Sequence, residues 1–152
     1  MHFHFDTLKN LIDNNPLNIN NIKKSYIDLL SQLTSINDLS IDLFIERINL
    51  ISTNNNIIYV CYTNDFNVIG TATIIIEPKL IHNCSYVGHI EDVVTNNNYR
   101  GLGIAKNIIN YLVHYGQNIG CYKIILDCNE ELINFYKNNN FIIKGFQMAI
   151  YT

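Results

Sequence analysis

The spacing of apolar residues predicts a strand and two helices in the first third of the chain. Phe3 and Phe5 alternate with histidines, which is the period of a short β-strand. Apolar residues then recur at helical spacing over residues 19–33, and Ser40 is a suitable N-cap for a second helix that runs to residue 50. The chain is therefore predicted to begin with a strand followed by a helix pair.

The remainder is predicted to contain six strands and two helices. Their order is β-β-β-α-β-α-β-β, with strands at Ile57–Tyr62, 68–77, 85–94, 122–126, 141–144 and 146–151 and helices at Ile104–Ile119 and 130–138. Asparagine-rich residues 64–67 are typical of the turn between the first two of these strands, and Gly120 is typical of a helix end. This order predicts an α+β fold with a mixed sheet flanked by helices.

Composition limits the classes of function. A length of 152 residues with 48% hydrophobic and 15% charged residues predicts one globular domain. The net charge of −3 argues against nucleic acid or an anionic membrane as partner. The N-terminus lacks the features of a secretory signal, so a cytoplasmic protein with reduced cysteines is expected. The four cysteines form no C-x-x-C pair, and we predict no metal site.

Residues 88–106 are predicted to form a strand, then an asparagine-rich loop with two glycines after it, and then the start of a helix. Gly101 and Gly103 let the backbone approach a ligand closely, and a helix N-terminus favours an anion such as phosphate. The spacing matches neither a dinucleotide fingerprint nor a P-loop. The run R-G-x-G-x-A resembles the acetyl-coenzyme A pyrophosphate loop of the GNAT N-acetyltransferase superfamily. A glycine-bearing helix start without a ligand is the alternative.

Four further residues carry candidate chemistry. Glu91 and Asp92 are adjacent acidic residues within an apolar strand, so they point to opposite faces of the sheet unless a bulge redirects them. Asp127 ends a strand, where open sheets place functional groups, and Tyr136 could protonate a leaving thiolate. Each residue also has a structural alternative. One of the two adjacent carboxylates is then a buried hydrogen-bonding group, Asp127 starts a turn, and Tyr136 belongs to the core.

Longer segments carry a more specific resemblance. GHIEDVV, RGLGIAK, CYKIILDC and NFYKNNNF, with IIIEPKLIH and SQLTS, resemble the glucosamine-6-phosphate N-acetyltransferases of the GNAT superfamily. The likeness covers roughly residue 29 to the end. It implies the GNAT fold, a mixed, mostly antiparallel sheet in three α/β/α layers. It also implies direct transfer of acetyl from acetyl-CoA to the amine of D-glucosamine 6-phosphate, for UDP-N-acetylglucosamine synthesis, by an intertwined homodimer.

The resemblance assigns residues to three roles. The catalytic residues it implies are Glu91, Asp127 and Tyr136. The residues implied to bind acetyl-CoA are Glu91, Asp92, Val93, Val94, Gly101, Leu102, Gly103, Ile104, Ala105, Lys106 and Tyr136. The residues implied to bind the sugar phosphate are Thr34, Lys79, Leu80, Ile81, His82, Glu91, Asp92, Tyr122, Lys123 and Asp127. Of these, Tyr122 and Lys123 are implied to serve the neighbouring subunit.

One departure and two alternatives accompany this interpretation. The family ends with a basic residue that reaches the substrate phosphate, whereas this chain has Tyr151, which cannot supply a charge. The expectation is therefore either weaker substrate binding or a phosphate held more by Lys79, His82 and Lys123. A GNAT enzyme that acetylates another small amine is one alternative, and the pair Lys79 and His82 argues against it. A non-catalytic acyl-CoA-binding module is the other.

Overall fold

The computed structural model describes residues 2–152, and its five strands form one sheet in the order β1-β2-β3-β4-β5. The strands are β1 His4–Thr7, β2 Ile57–Tyr62, β3 Val68–Pro78, β4 Tyr86–Thr95 and β5 Cys121–Leu126. Neighbouring strands are antiparallel except for β4 and β5, which are parallel. The prediction of a mixed, mostly antiparallel sheet is therefore confirmed.

Six α-helices accompany the sheet. They are α1 Leu8–Asn14, α2 Ile19–Leu30, α3 Ile41–Ile51, α4 Ile81–Cys84, α5 Ile104–Ile119 and α6 Ile133–Lys137. The predicted cap of α3 is present, since the Ser40 side chain accepts a hydrogen bond from the Leu43 backbone N–H at 3.2 Å. The helices α1 and α4 were not predicted, and α2 ends three residues earlier than expected. None of the described helices is long and apolar enough to cross a bilayer.

Two hydrophobic cores lie on opposite faces of the sheet. One core joins α1, α2 and α3 to the sheet, with Leu11, Ile22 and Phe44 among its buried residues. The other joins α5 and α6, and it includes Ile108 and Tyr136. Because apolar side chains from helices cover both faces, the chain forms the three α/β/α layers that the GNAT resemblance implies.

A β-bulge interrupts the pairing of β3 with β4. Thr71 pairs with Val94 and Thr73 pairs with Glu91, so two residues of β4 lie opposite the single residue Ala72. The extra residue Asp92 has a φ of 52°, in the left-handed region. Burial raises the pKa of Tyr26, on α2, to about 12, and the charge of Asp92 adds to this shift, so Asp92 lies near α2. Glu91 follows Ile90, which is buried in the α5 core, so Glu91 also faces the α2 side of the sheet, and a bulge allows both acidic residues to do so.

The structure corrects the two strands expected at the end of the chain. Residues 141–152 are irregular, and neither 141–144 nor 146–151 is a strand. Phe146, Met148 and Ile150 are each more than 90% exposed. The alternation of the sequence is that of a strand, but a strand needs a hydrogen-bonded neighbour, and these residues have none within residues 2–152.

Candidate active site

Glu91 and Asp127 directly follow the last pair of the parallel β4–β5 ladder, which is Ile90 with Leu126. They are close enough for the charge of Asp127 to act on Glu91. Partial burial, followed by the charges of Asp127 and Asp92, raises the pKa of Glu91 above its usual value, while His89 opposes the shift. Two neighbouring carboxylates of this kind can bind an ammonium group and accept a proton from it.

A band of further charged residues precedes Glu91 and Asp127 on the two strands. His89 is two residues before Glu91 on β4, and Lys123 is four residues before Asp127 on β5, so each pair shares a face. The register also places Lys123 opposite Val87 and His89 opposite Ile125. This polar band can receive a ligand that carries both positive and negative groups.

The glycine loop leads into an open helix start. Gly101 and Gly103 have φ values of 79° and 78°, and a methyl group added to either would meet no atom within 4 Å among the described residues. The first turn of α5 contains no acidic residue, and Lys106 is its third residue. Since the first backbone N–H groups of a helix lack intrahelical partners, this end can bind phosphate groups such as the diphosphate of acetyl-CoA.

Tyr136 is a buried tyrosine whose hydroxyl is available. Its ring packs edge-on against Phe135 and Phe141, with centroids 5.0 and 5.9 Å away. Burial, followed by the influence of Cys128, raises the pKa of Tyr136 to about 12. Within the described chain its hydroxyl has no hydrogen-bond partner, although the residue lines a groove beside Asp127 and Cys128. A phenol in this state remains protonated at neutral pH and can donate to a sulfur atom.

The residues expected around the sugar phosphate fall into two groups. His82 stacks on Tyr122 with centroids 4.0 Å apart, and the Lys123 ammonium lies 5.6 Å from the same ring. His82, Asn83 and Cys84 all have left-handed backbone conformations, with φ of 50°, 57° and 57°, so α4 is a tight turn rather than a regular α-helix. Within this chain, the Tyr122 ring therefore contacts His82, and Lys123 lies over the same ring. Leu80 and Ile81 are exposed beside them.

Lys79 and Thr34 are placed differently from this cluster. The Lys79 ammonium donates to a Glu77 carboxylate oxygen rather than standing free for a phosphate. Thr34 is exposed after the end of α2, and its backbone N–H donates to the Leu30 carbonyl at 3.4 Å. The neighbouring Gln32 accepts a hydrogen bond from the Asn97 backbone N–H at 3.1 Å, which links this loop to the one before the glycines.

Glu77 and His89 are site residues that the sequence did not predict. The second Glu77 carboxylate oxygen lies 2.8 Å from His89 Nε2. Only the β3–β4 register reveals this contact, because the two residues are twelve positions apart in sequence. No group of three or more His, Cys, Asp or Glu side chains suited to a metal ion occurs in the described residues.

Comparison with known proteins defines the class. Residues 24–141 match the family model described as "Acetyltransferase (GNAT) family". The chain belongs to the GNAT acetyltransferases, which accounts for the parallel strands β4 and β5, the glycine loop and the helix start in one molecule. Its relatives are more specific, and they place it with the glucosamine 6-phosphate N-acetyltransferases of that family.

The similarity extends over nearly the whole chain. The chain is 41% identical over 139 residues to glucosamine 6-phosphate N-acetyltransferase 1 of Dictyostelium discoideum, and the match covers 90% of this chain and 88% of that protein. It is 34% identical to glucosamine 6-phosphate N-acetyltransferase of Arabidopsis thaliana, and that match covers 89% of this chain and 93% of the Arabidopsis protein. The crystal structure of glucosamine-6-phosphate N-acetyltransferase from Arabidopsis thaliana superposes with a TM-score of 0.87, covering 99% of both chains at 30% identity.

Proposed function

We propose that the chain transfers the acetyl group of acetyl-CoA to the amine of D-glucosamine 6-phosphate, which supplies N-acetylglucosamine 6-phosphate for UDP-N-acetylglucosamine synthesis. The observation that carries this proposal is the pair of Glu91 and Asp127 at the end of the β4–β5 ladder, together with the course of β4 through the glycine loop into α5. The names of the relatives support the choice of amine. The register and the loop support the chemistry.

Acetyl-CoA binds along β4 and the start of α5 in this proposal. The β4 strand continues to Thr95, whereas its pairing with β5 ends at Ile90. The backbone of Val93 and Val94 therefore has no β5 partner in the described chain, and it can bond to the pantetheine arm and polarise the thioester carbonyl. Beyond it, the backbone of residues 101–106 and the Lys106 ammonium hold the diphosphate.

Glu91 and Asp127 prepare the amine for attack. An ammonium group between the two carboxylates is held in place and loses a proton to become nucleophilic. The raised pKa of Glu91 makes it a stronger base than an ordinary carboxylate, and Asp127 orients the amine. The neutral amine then attacks the thioester carbonyl directly.

Tyr136 assists the departure of the thiol. Its protonated phenol donates a hydrogen bond to the sulfur and passes a proton to the thiolate as the carbon–sulfur bond breaks. An acetylated cysteine is not required in this route. Cys128 is the exposed thiol beside Asp127, so a Cys128→Ser variant with full turnover supports direct transfer, whereas loss of turnover together with acetylated wild-type protein contradicts it.

The phosphate and sugar are recognised by residues next to the carboxylates. The basic side chains available for the phosphate are Lys79, His82 and Lys123, and the last two lie against the Tyr122 ring. The exposed Thr34, Leu80 and Ile81 complete the set that we assign to the sugar phosphate. This assignment places the amine near Glu91 and Asp127, with the phosphate farther along the same face.

We infer that the working form is a homodimer. Residues 141–152 are apolar and exposed, and within the described chain the outer edge of β5 is unpaired. A groove of about 920 Å³ lies between this segment and β5, α5 and α6. A second copy that exchanges this segment would pair the open edge and cover the apolar side chains.

Light scattering tests the dimer. The full chain should have twice the chain mass, and a chain that ends at residue 140 should be monomeric. A monomeric full chain contradicts the dimer.

We place the enzyme in the cytoplasm. The four cysteines are free thiols, and Cys84 and Cys128 are exposed, as in proteins kept reduced. Fractionation of cells that express a tagged chain would test this location.

Thiol release from acetyl-CoA is the direct test of the reaction. The purified chain is offered glucosamine 6-phosphate, glucosamine and several unrelated amines, with an Asp127→Asn variant as the inactive control. Turnover that requires the phosphorylated sugar supports the proposal. Preference for another amine identifies a different GNAT substrate, and acetyl-CoA binding without thiol release from any amine identifies a non-catalytic acyl-CoA-binding module.

A further inference from the structure

Glu77 connects two elements of the site through its two carboxylate oxygens. One oxygen accepts a hydrogen bond from the Lys79 ammonium, and the other lies 2.8 Å from His89 Nε2. Glu77 pairs with Val87 and His89 pairs with Ile75, so Glu77 and His89 are diagonal neighbours on the same face of the β3–β4 hairpin. The carboxylate is thus shared between a loop residue and a strand residue.

The charge of Glu77 is retained over the neutral range. Hydrogen bonds from Lys79 and then from His89 lower the pKa of Glu77 below its usual value. The side chains of Lys79 and His89 are 30% and 33% exposed, so both remain open to a ligand while they hold Glu77. An ammonium group has three donors, and the bond to Glu77 leaves two of them for another anion.

The cluster of Glu77, Lys79 and His89 lies between the loop proposed to bind the phosphate and the residues proposed to react. Lys79 begins the loop that carries His82, and its backbone N–H donates to the Ser85 carbonyl at 2.9 Å, which closes that loop. His89 stands two residues before Glu91 on the same face of β4. Glu77 therefore fastens the start of the proposed phosphate-binding loop to the strand that carries the proposed base.

We propose that Glu77 is a positioning residue for phosphate recognition, which holds the Lys79 ammonium toward the substrate phosphate while His89 anchors Glu77 to the sheet. This inference rests on the proposed use of glucosamine 6-phosphate. A lysine side chain is flexible, and its ordering before the ligand arrives removes part of the entropic cost of binding. The Glu77 carboxylate also repels a phosphate. If it mainly positions Lys79, removal of its charge raises KM for the sugar phosphate. If it mainly repels the phosphate, removal of its charge lowers that KM.

Steady-state kinetics of Glu77→Gln provide the test, because the amide keeps the shape and loses the charge. We expect KM for glucosamine 6-phosphate to rise roughly three- to tenfold, with kcat and KM for acetyl-CoA nearly unchanged, as for lost ground-state binding. Unphosphorylated glucosamine should show no such increase. The exposed Glu46 on α3 supplies the matched control Glu46→Gln, which should leave all constants unchanged.

Combination with Lys79→Met separates positioning from a general structural effect. If Glu77 acts through Lys79, Glu77→Gln should add little to the KM increase already caused by Lys79→Met. Additive effects of the two substitutions, an equal effect on glucosamine, or a lower KM in Glu77→Gln would each overturn the proposal. Thermal melting checks that every variant is folded.

Calorimetric binding of glucosamine 6-phosphate distinguishes failure of this inference from failure of the proposed function. Binding without turnover overturns the proposed reaction, and Kd of Glu77→Gln then tests the positioning role in place of KM. Failure of the wild-type chain to bind the sugar phosphate overturns both. Wild-type turnover with no change in Glu77→Gln overturns the positioning role alone.

Discussion

Gly70 on β3 lies directly against Ile104, the first residue of α5. A methyl group at Gly70 would come within 2.5 Å of Ile104 Cγ2 and 3.3 Å of Ile108 Cδ1. Ile104 is only 2% exposed, so it has little room to move away. The absence of a side chain at residue 70 therefore sets how closely the start of α5 approaches the sheet, and with it the position of the glycine loop.

The substitution Gly70→Ala should destabilise the fold by about 1–3 kcal/mol, the usual cost of overpacking a core. Thermal or urea unfolding measures this loss. Gly145→Ala is the matched control, because a methyl group there meets no described atom within 4 Å, and its stability should match the wild type. Equal stability of the two variants would contradict the close packing.

Gly103→Ala should weaken acetyl-CoA binding. An alanine at φ 78° costs about 1–2 kcal/mol, and relief of that strain moves the backbone N–H groups at the start of α5. We expect KM for acetyl-CoA to rise several-fold, as measured by thiol release. Gly120→Ala has a similar strain at φ 99° but lies at the other end of α5, so it should lower stability without changing KM. A rise in KM in both variants would point to a general loss of structure.

Tyr136→Phe should lower kcat by about 100-fold or more, the usual contribution of a general acid. The fold should be preserved, because the hydroxyl has no partner among residues 2–152 and the ring packing is unchanged. Stopped assays at saturating acetyl-CoA measure kcat. Tyr115→Phe is the control, since the Tyr115 hydroxyl donates to the Asn55 carbonyl at 2.9 Å on the outside of α5 and should not affect kcat. An unchanged kcat in Tyr136→Phe would exclude the proton-donor role.

The pH profile should report the raised pKa of Glu91. Because Glu91 binds a proton at higher pH than an ordinary carboxylate, activity that needs its ionised form should begin to fall at a correspondingly higher pH. Asp92→Asn removes one of the charges that raise this pKa, so the acid limb of kcat/KM should move to lower pH. Asp65→Asn, in the β2–β3 turn, is the control and should leave the limb in place. A shift to higher pH in Asp92→Asn would contradict the assignment to Glu91.

Local sequence signals predicted those elements that depend on few neighbours. Strand β2 and helix α5 have the predicted bounds, since β2 is a continuous β run and α5 combines a strong amphipathic pattern with Gly120 at its end. Helix α1 was missed because it is only seven residues long and follows the strand directly. The final strands were predicted from alternation alone, and alternation does not supply the neighbouring strand that they lack in the described chain.

The candidate site was only partly predictable, because several of its features arise from pairing between distant residues. Asp127 was recognised at the end of a strand, and its place beside Glu91 follows from the β4–β5 register. The sequence shows that only a bulge would let Glu91 and Asp92 face the same side of the sheet, but it does not show where a bulge lies. The position of the bulge depends on which β3 residue each β4 residue faces. Glu77 carried no local signal, and its role appears only when His89 is placed across the hairpin.

The parallel pairing of β4 with β5 also has a consequence for the order of folding. The β2–β3–β4 meander consists of antiparallel neighbours close in sequence, whereas the whole of α5 lies between Tyr86 and its partner Cys121 in the chain. Because such distant contacts carry a larger loop-closure cost, we expect β5 to dock after the meander. Pulse-labelled hydrogen exchange should show protection of β3 amides before β5 amides, and simultaneous protection would contradict this order. Glu91 and Asp127 are then brought together only when β5 docks, after the meander that carries Glu91 has formed.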